Sequence, residues 1–281
     1  MSPTKTVLLF GIPLVIVVIG AVVFVLPRWA AAPPDTTEAV AKLTSTGSCA
    51  GCDLRAAYVR DLDLPNADLS KARLVDVDMK YNKMPNANFG GADIQRGQLE
   101  EADFTGASFA GAKLGNADFE KSKLPGADFS NSDLRNADLD EVDASRANFA
   151  GADMRDVTMK RANLDGAVLE DVNLSGARLE RSSLLGTDLS EANLTSADLD
   201  RVQAVNASFI DATMTGARIS HANLTGAQFG NARLTRATLQ RTNISGADLS
   251  GVRGLTAAML TTVCGDGATK LPSGLKVATC Q

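Results

Sequence analysis

From Leu54 to Leu249 an apolar residue, nearly always a large one, returns at every fifth position, through forty consecutive units without insertion or deletion. Leu64, Leu69, Leu74, Met79, Met84, Phe89 and Ile94 lie towards one end, and Leu239, Ile244 and Leu249 at the other. Val59, Ala144 and Ala204 are the smaller members. Two places before each stands a small residue, usually Ala, and between them Asp, Asn or another polar side chain. A helix with this spacing would scatter its apolar residues round the whole surface, and a strand would need strict alternation. A turn every five residues fits. The chain winds as a square coil, each side points its small and its large apolar residue inward, and each coil buries them by stacking on its neighbours.

The segment before the repeat has another pattern. Residues 6–27 carry no charge and are rich in Val, Ile and Leu, which predicts a membrane-spanning helix, since about 20 apolar residues cross a bilayer core. Pro13 is tolerated in such a helix. Ala30-Ala31-Ala32 resembles a signal-peptide cleavage site. The run outlasts a signal sequence's apolar stretch, however, and Pro33 would follow the cut, so a retained anchor is expected. Lys5 and Arg28 on its two sides barely discriminate between orientations. Pro33-Pro34 and the small polar residues after them read as a linker with a short helical turn around Glu38–Leu43. The expected organisation is a tail (1–5), a transmembrane helix (6–27), a linker (28–48), the repeat solenoid (49–251) and a C-terminal cap (252–281).

The unit, A-(D/N)-(L/F)-x-x, as in Ala117-Asp118-Phe119 and Ala192-Asn193-Leu194, resembles the pentapeptide-repeat family. The resemblance implies an all-β solenoid, a right-handed quadrilateral β-helix with four units per coil and about ten coils. At about 4.8 Å between coils the rod would be about 48 Å long. Residues twenty apart then stack. One inward column reads Leu69, Phe89, Phe109, Phe129, Phe149, Leu169, Leu189, Phe209, Phe229 and Leu249, which gathers most of the phenylalanines of the repeat. Such a column is core, without a cofactor role. Cys264-Gly265-Asp266 and Lys270-Leu271-Pro272-Ser273-Gly274-Leu275 resemble a C-terminal extension of many bacterial members. Cys49-Ala50-Gly51-Cys52-Asp53-Leu54 resembles the opening of some. Both imply a bacterial source.

Charge enters through the columns. The chain has 28 Lys+Arg against 33 Asp+Glu, which does not point to nucleic-acid binding, whose footprint is a basic excess. Two outward columns alternate in sign: Asp53, Arg73, Asp93, Lys113, Asp133 and Asp63, Lys83, Asp103, Lys123, Asp143. Opposite charges one coil apart attract and help to fix register. A further face is bipolar. Its N-terminal half carries Asp78, Glu100, Glu101, Asp118, Glu120, Asp138, Asp140 and Glu141. Its C-terminal half carries the column Arg161, Arg181, Arg201, His221 and Arg241, with Lys160, Arg178 and Arg218 alongside. Glu180, Asp198 and Asp200 offset part of that column, and an acidic partner surface would offset the rest. Leu185 and Val205 stack outward as a small apolar patch that marks a second candidate contact.

No catalytic constellation emerges, and neither cofactor nor metal is expected. His221 is the one histidine, so any Ser-His-Asp or Cys-His set would need it; it occupies an outward place in a regular unit. The carboxylates lie on convex faces without a cleft to shift their pKa values. Phosphate-binding loops and His-rich metal motifs are absent. The four cysteines fall in two pairs, Cys49/Cys52 and Cys264/Cys280, at opposite ends of the repeat. That is too far apart for one zinc site and suited to terminal disulfides in an oxidising compartment. Beyond Ser250 the repeat ends, and Leu255, Met259, Leu260 and Val263 are expected to cover the last coil from a short helix.

The expected function is therefore non-enzymatic: an interaction scaffold tethered to a bacterial inner membrane by a single pass. Its rod would be periplasmic or lumenal, serving as an accessory subunit of a membrane complex and binding an unknown protein partner. The first alternative is DNA mimicry, as in the fluoroquinolone-resistance pentapeptide proteins that inhibit gyrase. It calls for a cytosolic, dimeric, broadly acidic rod. The second is a thiol-redox protein using Cys49 and Cys52.

Overall fold

The computed structural model describes residues 35–280 and the backbone of two earlier strands, β1 (Leu14–Ile19) and β2 (Val22–Pro27). The chain divides into a unit spanning residues 1–35 and one spanning residues 36–281.

In the first unit β1 and β2 pair antiparallel, in a register running from Leu14↔Pro27 to Ile19↔Val22. The membrane-spanning helix expected over 6–27 is not what this run forms. Among the described residues no helix is long and apolar enough to cross a membrane. The reason lies in the kind of apolar residue. Val15, Ile16, Val17, Val18 and Ile19, then Val22, Val23 and Val25, are β-branched side chains that suit a pleated strand better than a helix, and the register leaves the dipeptide Gly20-Ala21 between the two runs. The tail 1–5, the rest of the expected span (6–13 and 20–21), Arg28 and Ala30–Ala32 lie outside the described residues. With the anchor fall the single-pass inner-membrane placement, its periplasmic or lumenal rod, the membrane as a partner, and the role of tethered subunit in a membrane complex.

In the second unit the repeat forms a parallel β-solenoid. Parallel bridges link residues twenty apart, from Ser48↔Asp68 to Arg233↔Arg253, always at the polar place before the large apolar one. The rung bonds are regular: Leu69 N–H donates to the Asn88 carbonyl at 2.8 Å and Asn88 N–H to that of Ala67 at 2.8 Å. Each side closes with a turn in which the next small residue donates back to the large apolar one, as from Ala72 to Leu69 at 3.1 Å. The third residue of the turn has positive φ, from +54° at Ala56 to +70° at Gly176, the signature of a type II turn. Residues there are mostly Gly, Asn, Asp, Glu, Lys or Arg, with Ala56, Tyr81, Ser196 and His221 besides, and no Val, Ile or Thr occurs, in keeping with the steric cost of a β-branched residue in this region.

Inside, the large apolar residues of the repeat are buried from Leu54 to Leu249, Leu64 excepted. Phe89, Phe109, Phe129 and Phe149 stack with ring centroids 4.7, 4.8 and 5.0 Å apart, and Phe104 and Phe119 meet the stack edge-on at 5.5–5.9 Å. Rung spacing thus dictates ring spacing, and both arrangements suit the aromatic quadrupole. A few inward small positions are polar and serve the backbone. Asn82, fully buried, donates to the Val59 carbonyl at 2.7 Å and accepts from Leu62 N–H at 2.8 Å, in place of the usual turn bond.

Both ends are covered. Helix α1 (Thr37–Thr46) occupies the stretch read as a linker. It stops at Gly47 (φ +67°) and buries Leu43 against the first coil. At the other end a 3-10 turn (Ala257–Leu260) replaces the expected helix and still buries Leu260 and, just after it, Val263. Two short strands, β3 (Cys264–Gly265) and β4 (Ala278–Thr279), pair parallel, and Cys264 and Lys270 bridge to the last coil at Asn243 and Asp248. Disulfides join Cys49 to Cys52 and Cys264 to Cys280.

Two outcomes are expected. Phe129→Ala removes the middle of the ring stack and should cost about 3–5 kcal/mol in denaturant unfolding; a loss below about 1 kcal/mol, the size of an average mutation, would contradict a continuous core. Reducing the Cys264–Cys280 link, which spans 16 residues, should destabilise the chain by about 3 kcal/mol by the loop-entropy relation. An unchanged melting curve in reductant would show that the cap holds without it.

Candidate functional site: the bipolar third face

Counting sides by their inward residues, the first carries Leu69, the second Leu74, the third Met79 and the fourth Met84. The third face holds the charges singled out above. Its outward residues fall in two columns on the flat strip and one at the corner towards the fourth face.

Over three successive rungs the strip and its corner present Glu100 and Glu101, then Asp118 and Glu120, then Asp138, Asp140 and Glu141. Cations reach only part of this band. Lys80 binds Glu100, Lys121 binds Glu120 at 2.7 Å, Lys160 stands 4.0 Å from Asp140, and Arg161 pairs with Glu141. Asp138 is held by hydrogen bonds from Asp140 N–H and Thr158 Oγ1, both 2.9 Å. Asp118 accepts from Glu120 N–H at 2.9 Å. Burial pushes its carboxyl above the usual aspartate range; this hydrogen bond works the other way, and the charges of Glu100, Asp138 and Glu120 push it further up. Glu100 Oε2 is buried without a hydrogen-bond partner. The band carries more negative charge than its surroundings neutralise.

Arg161, Arg181, Arg201, His221 and Arg241 form the corner column, each exposed and each at the left-handed turn position, with φ between +55° and +64°. Arg161 is committed to Glu141. Arg201 and His221 share Asp200, at 3.6 and 3.0 Å, and Arg218 pairs with Asp198. Arg181 and Arg241 are in no ion pair among the described residues. Glu180, expected to offset this column, has its Oε2 buried without a partner. Leu185 is 41% exposed and stacks with Val205 on the fourth face, so the structure does not bring this apolar pair into the same plane as the strip. Cys49, Cys52, Cys264 and Cys280 lie at the rod's ends. Column reading missed the aromatic start of the third face: Tyr58 is 68% exposed, with the Arg60 guanidinium 4.9 Å from its ring centre, and Tyr81 stands at the corner of the next rung. Stacking those residues in columns would have revealed it.

Two descriptions of one repeat match the chain: "pentapeptide repeat region" over residues 92–169, and "pentapeptide repeats (8 copies)" over residues 48–80, 173–209, 187–226 and 212–251. The chain belongs to the pentapeptide-repeat family. Among solved structures it is similar to HetL, a pentapeptide repeat protein involved in heterocyst differentiation regulation from the cyanobacterium Nostoc sp. strain PCC 7120. They share 25% identity over 76% of this chain and 91% of that one, with a TM-score of 0.40. It is also similar to full-length QnrB1, a plasmid-mediated fluoroquinolone resistance protein, at 17% identity over 75% and 94%, TM-score 0.32. Rfr23 of the cyanobacterium Cyanothece 51142 matches at 22% identity over 63% and 97%, TM-score 0.20. No curated protein matches. This pentapeptide-repeat protein is not an enzyme. The described residues include no group of side chains able to hold a metal ion, and His221 spends a ring nitrogen on Asp200. A recess of about 320 Å³ between Tyr81, Lys83, Glu101, Asp103, Lys121 and Lys123 is an open corner hollow lined by solvated charges.

Because its folded-state pKa is raised, Asp118 binds a proton more readily in the folded than in the unfolded chain. Its penalty is present at neutral pH and is relieved as pH falls through the folded value. Asp118→Asn keeps the acceptor for Glu120 N–H and removes the charge. It should stabilise the rod by about 0.5–1 kcal/mol at pH 7, the range for crowded like charges on neighbouring strands, with the gain vanishing in acid. A variant melting below the parent at pH 7 would show that the carboxylate is already compensated.

Proposed function

We propose that the protein is a non-catalytic interaction rod that docks a protein partner on its third face. The acidic band around Asp118 meets a cationic patch, and the Arg161–Arg241 corner column meets an acidic rim. One observation carries this reading: both halves of the face hold charge that the chain itself does not neutralise. In the band, the carboxyl of Asp118 is destabilised in its charged form and an oxygen of Glu100 has no partner. In the column, Arg181 and Arg241 stand without ion pairs among the described residues. Leu185 and Val205 add an apolar edge beyond the corner, for a partner broad enough to wrap it. Flat, charged faces of this kind act mainly on association rate and choice of partner.

The acidic band also favours a narrower reading, in which the cationic patch is one that ordinarily holds a nucleic-acid backbone and the rod acts as a polyanion mimic directed at gyrase. Seven carboxylates on three rungs are the feature that suits it; the arginine column that follows is the feature such a partner must tolerate.

Capture of partners from cell extract by the full-length protein tests the general reading. Arg181→Glu with Arg201→Glu, and separately Asp118→Asn with Asp138→Asn, should each slow association on the order of tenfold, with the parent losing its partner as salt rises. The same proteins recovered in equal amount by both variants and the parent would reduce the third face to a solvated surface. For the narrower reading, the purified rod should inhibit gyrase supercoiling, and no inhibition at micromolar rod would remove it.

A further inference from the structure

Columns of alternating charge occur on two faces, and the structure leaves them in different states. On the second face, Arg73 reaches Asp53 at 3.3 Å, while Arg55, Arg135 and Arg155, one place along the same strip, bind Asp53, Asp133 and Asp153 at 2.6–2.7 Å. That column is closed at its two ends; between them Asp93 accepts from Gln95 and Lys113 is in no ion pair among the described residues. On the fourth face, Asp63, Lys83, Asp103, Lys123 and Asp143 alternate in the same way and bridge rung to rung through their backbones. None of these five side chains is in an ion pair among the described residues. Asp103 accepts from Thr105, and Asp143 from Ser145 and Asn163. At the matching positions, where the second face has Arg55, Val75, Gln95 and Gly115, the fourth has Pro65, Pro85, Thr105 and Pro125. Five charges therefore stand open beside a low ridge of proline rings, which lose little side-chain entropy on burial.

The alternation has a symmetry of its own. Two rods lying parallel about a two-fold axis would face rung to rung and set like charges together. Turned antiparallel, about an axis passing between the Lys83 and Asp103 rungs, they set Asp63 against Lys123 of the partner subunit and Lys83 against Asp103 of the partner subunit. The two-fold repeats both contacts, which makes four pairs of opposite sign. We propose that the fourth face, along the Asp63–Asp143 column, is a self-association surface on which a second copy of the chain lies antiparallel. The column is four rung steps long, about 19 Å, and one side of the coil wide. The contact belongs with small, transient interfaces rather than obligate ones, and its affinity depends on ionic strength. Its rungs, from Asp63 to Asp143, precede Leu185 and Val205, the only fourth-face residues in the proposed partner site, so either proposal can fail without the other.

Sedimentation velocity on the full-length protein is the test. The parent should show a dimer at about 0.02 M salt that dissociates by about 0.5 M. Lys83→Glu with Lys123→Glu makes the column wholly acidic, and Asp63→Lys with Asp103→Lys makes it basic from 63 to 123. Each double variant alone should be monomeric at low salt, having lost at least about tenfold in association constant, and an equimolar mixture of the two should dimerise again. A parent that stays monomeric at low salt overturns the proposal, whatever the variants do. So does a double variant that still dimerises by itself, or a folded mixture, checked by circular dichroism, that does not.

Discussion

Each side of the coil ends at a residue with positive φ, and this one backbone requirement sets the five-residue period, the four-sided section and the stacking of rung on rung together. The turn it makes returns a hydrogen bond to the large apolar residue and delivers the next small residue inward, so both core positions of every side are fixed by it. Only where four such turns have closed does the chain arrive under its own previous strand and form the next bridge. The strain at Arg, Glu or Lys in this region, of order 1 kcal/mol each, is tolerated because every turn is held by rung bonds on both sides. A solenoid gains those bonds coil by coil, and no single corner has to be stable alone.

The same corner decides how charges behave. Its side chain projects into solvent on nearly every rung, so the corner can carry a file of arginines at about 4.8 Å spacing with only partial pairing. On the flat strip the outward residues sit half-buried between their upper and lower neighbours. There a carboxylate without a cation is desolvated, as at Asp118, and repulsion is felt fully. The bipolar third face thus combines two regimes: a solvated basic edge, able to steer a partner at a distance, and a partly desolvated acidic strip that gains from a partner's cation on contact.

The solenoid was legible because one period governs fold and packing alike, and the four-unit coil that the family resemblance implies made the phenylalanine stack legible too. Phe89, Phe109, Phe129 and Phe149 fall in one column by arithmetic, and the structure sets their rings at rung spacing. The charge columns were equally legible, but which of their members close ion pairs was not. That depends on which residue stands one place along the strip, as in the contrast between Arg55 on the second face and Pro65 on the fourth. The first apolar segment was misread. Length and lack of charge were given the weight that belonged to β-branching, and hydrophobicity alone does not separate a spanning helix from a pair of strands. The helix at Thr37–Thr46 was visible only as a turn, because its role, covering Cys49 and the first coil with Leu43, is tertiary.

The two-cysteine motif shows how far the period reaches. In this repeat a large inward residue and the next small inward residue are always three apart, as Leu69 and Ala72 are. Cys49 stands directly below Leu69 in the aromatic column, and Cys52 stands below Ala72. A C-x-x-C spacing is therefore what results when both inward places of one turn are cysteine, and their Cα atoms lie 5.3 Å apart because the turn puts them there. At this end no further coil is available to bury an apolar pair, and a covalent link across the turn, with Cys49 fully buried under α1, holds the edge shut. The resemblance to a redox motif follows from the geometry of the coil: the sulfurs occupy inward positions and are spent on a disulfide with each other.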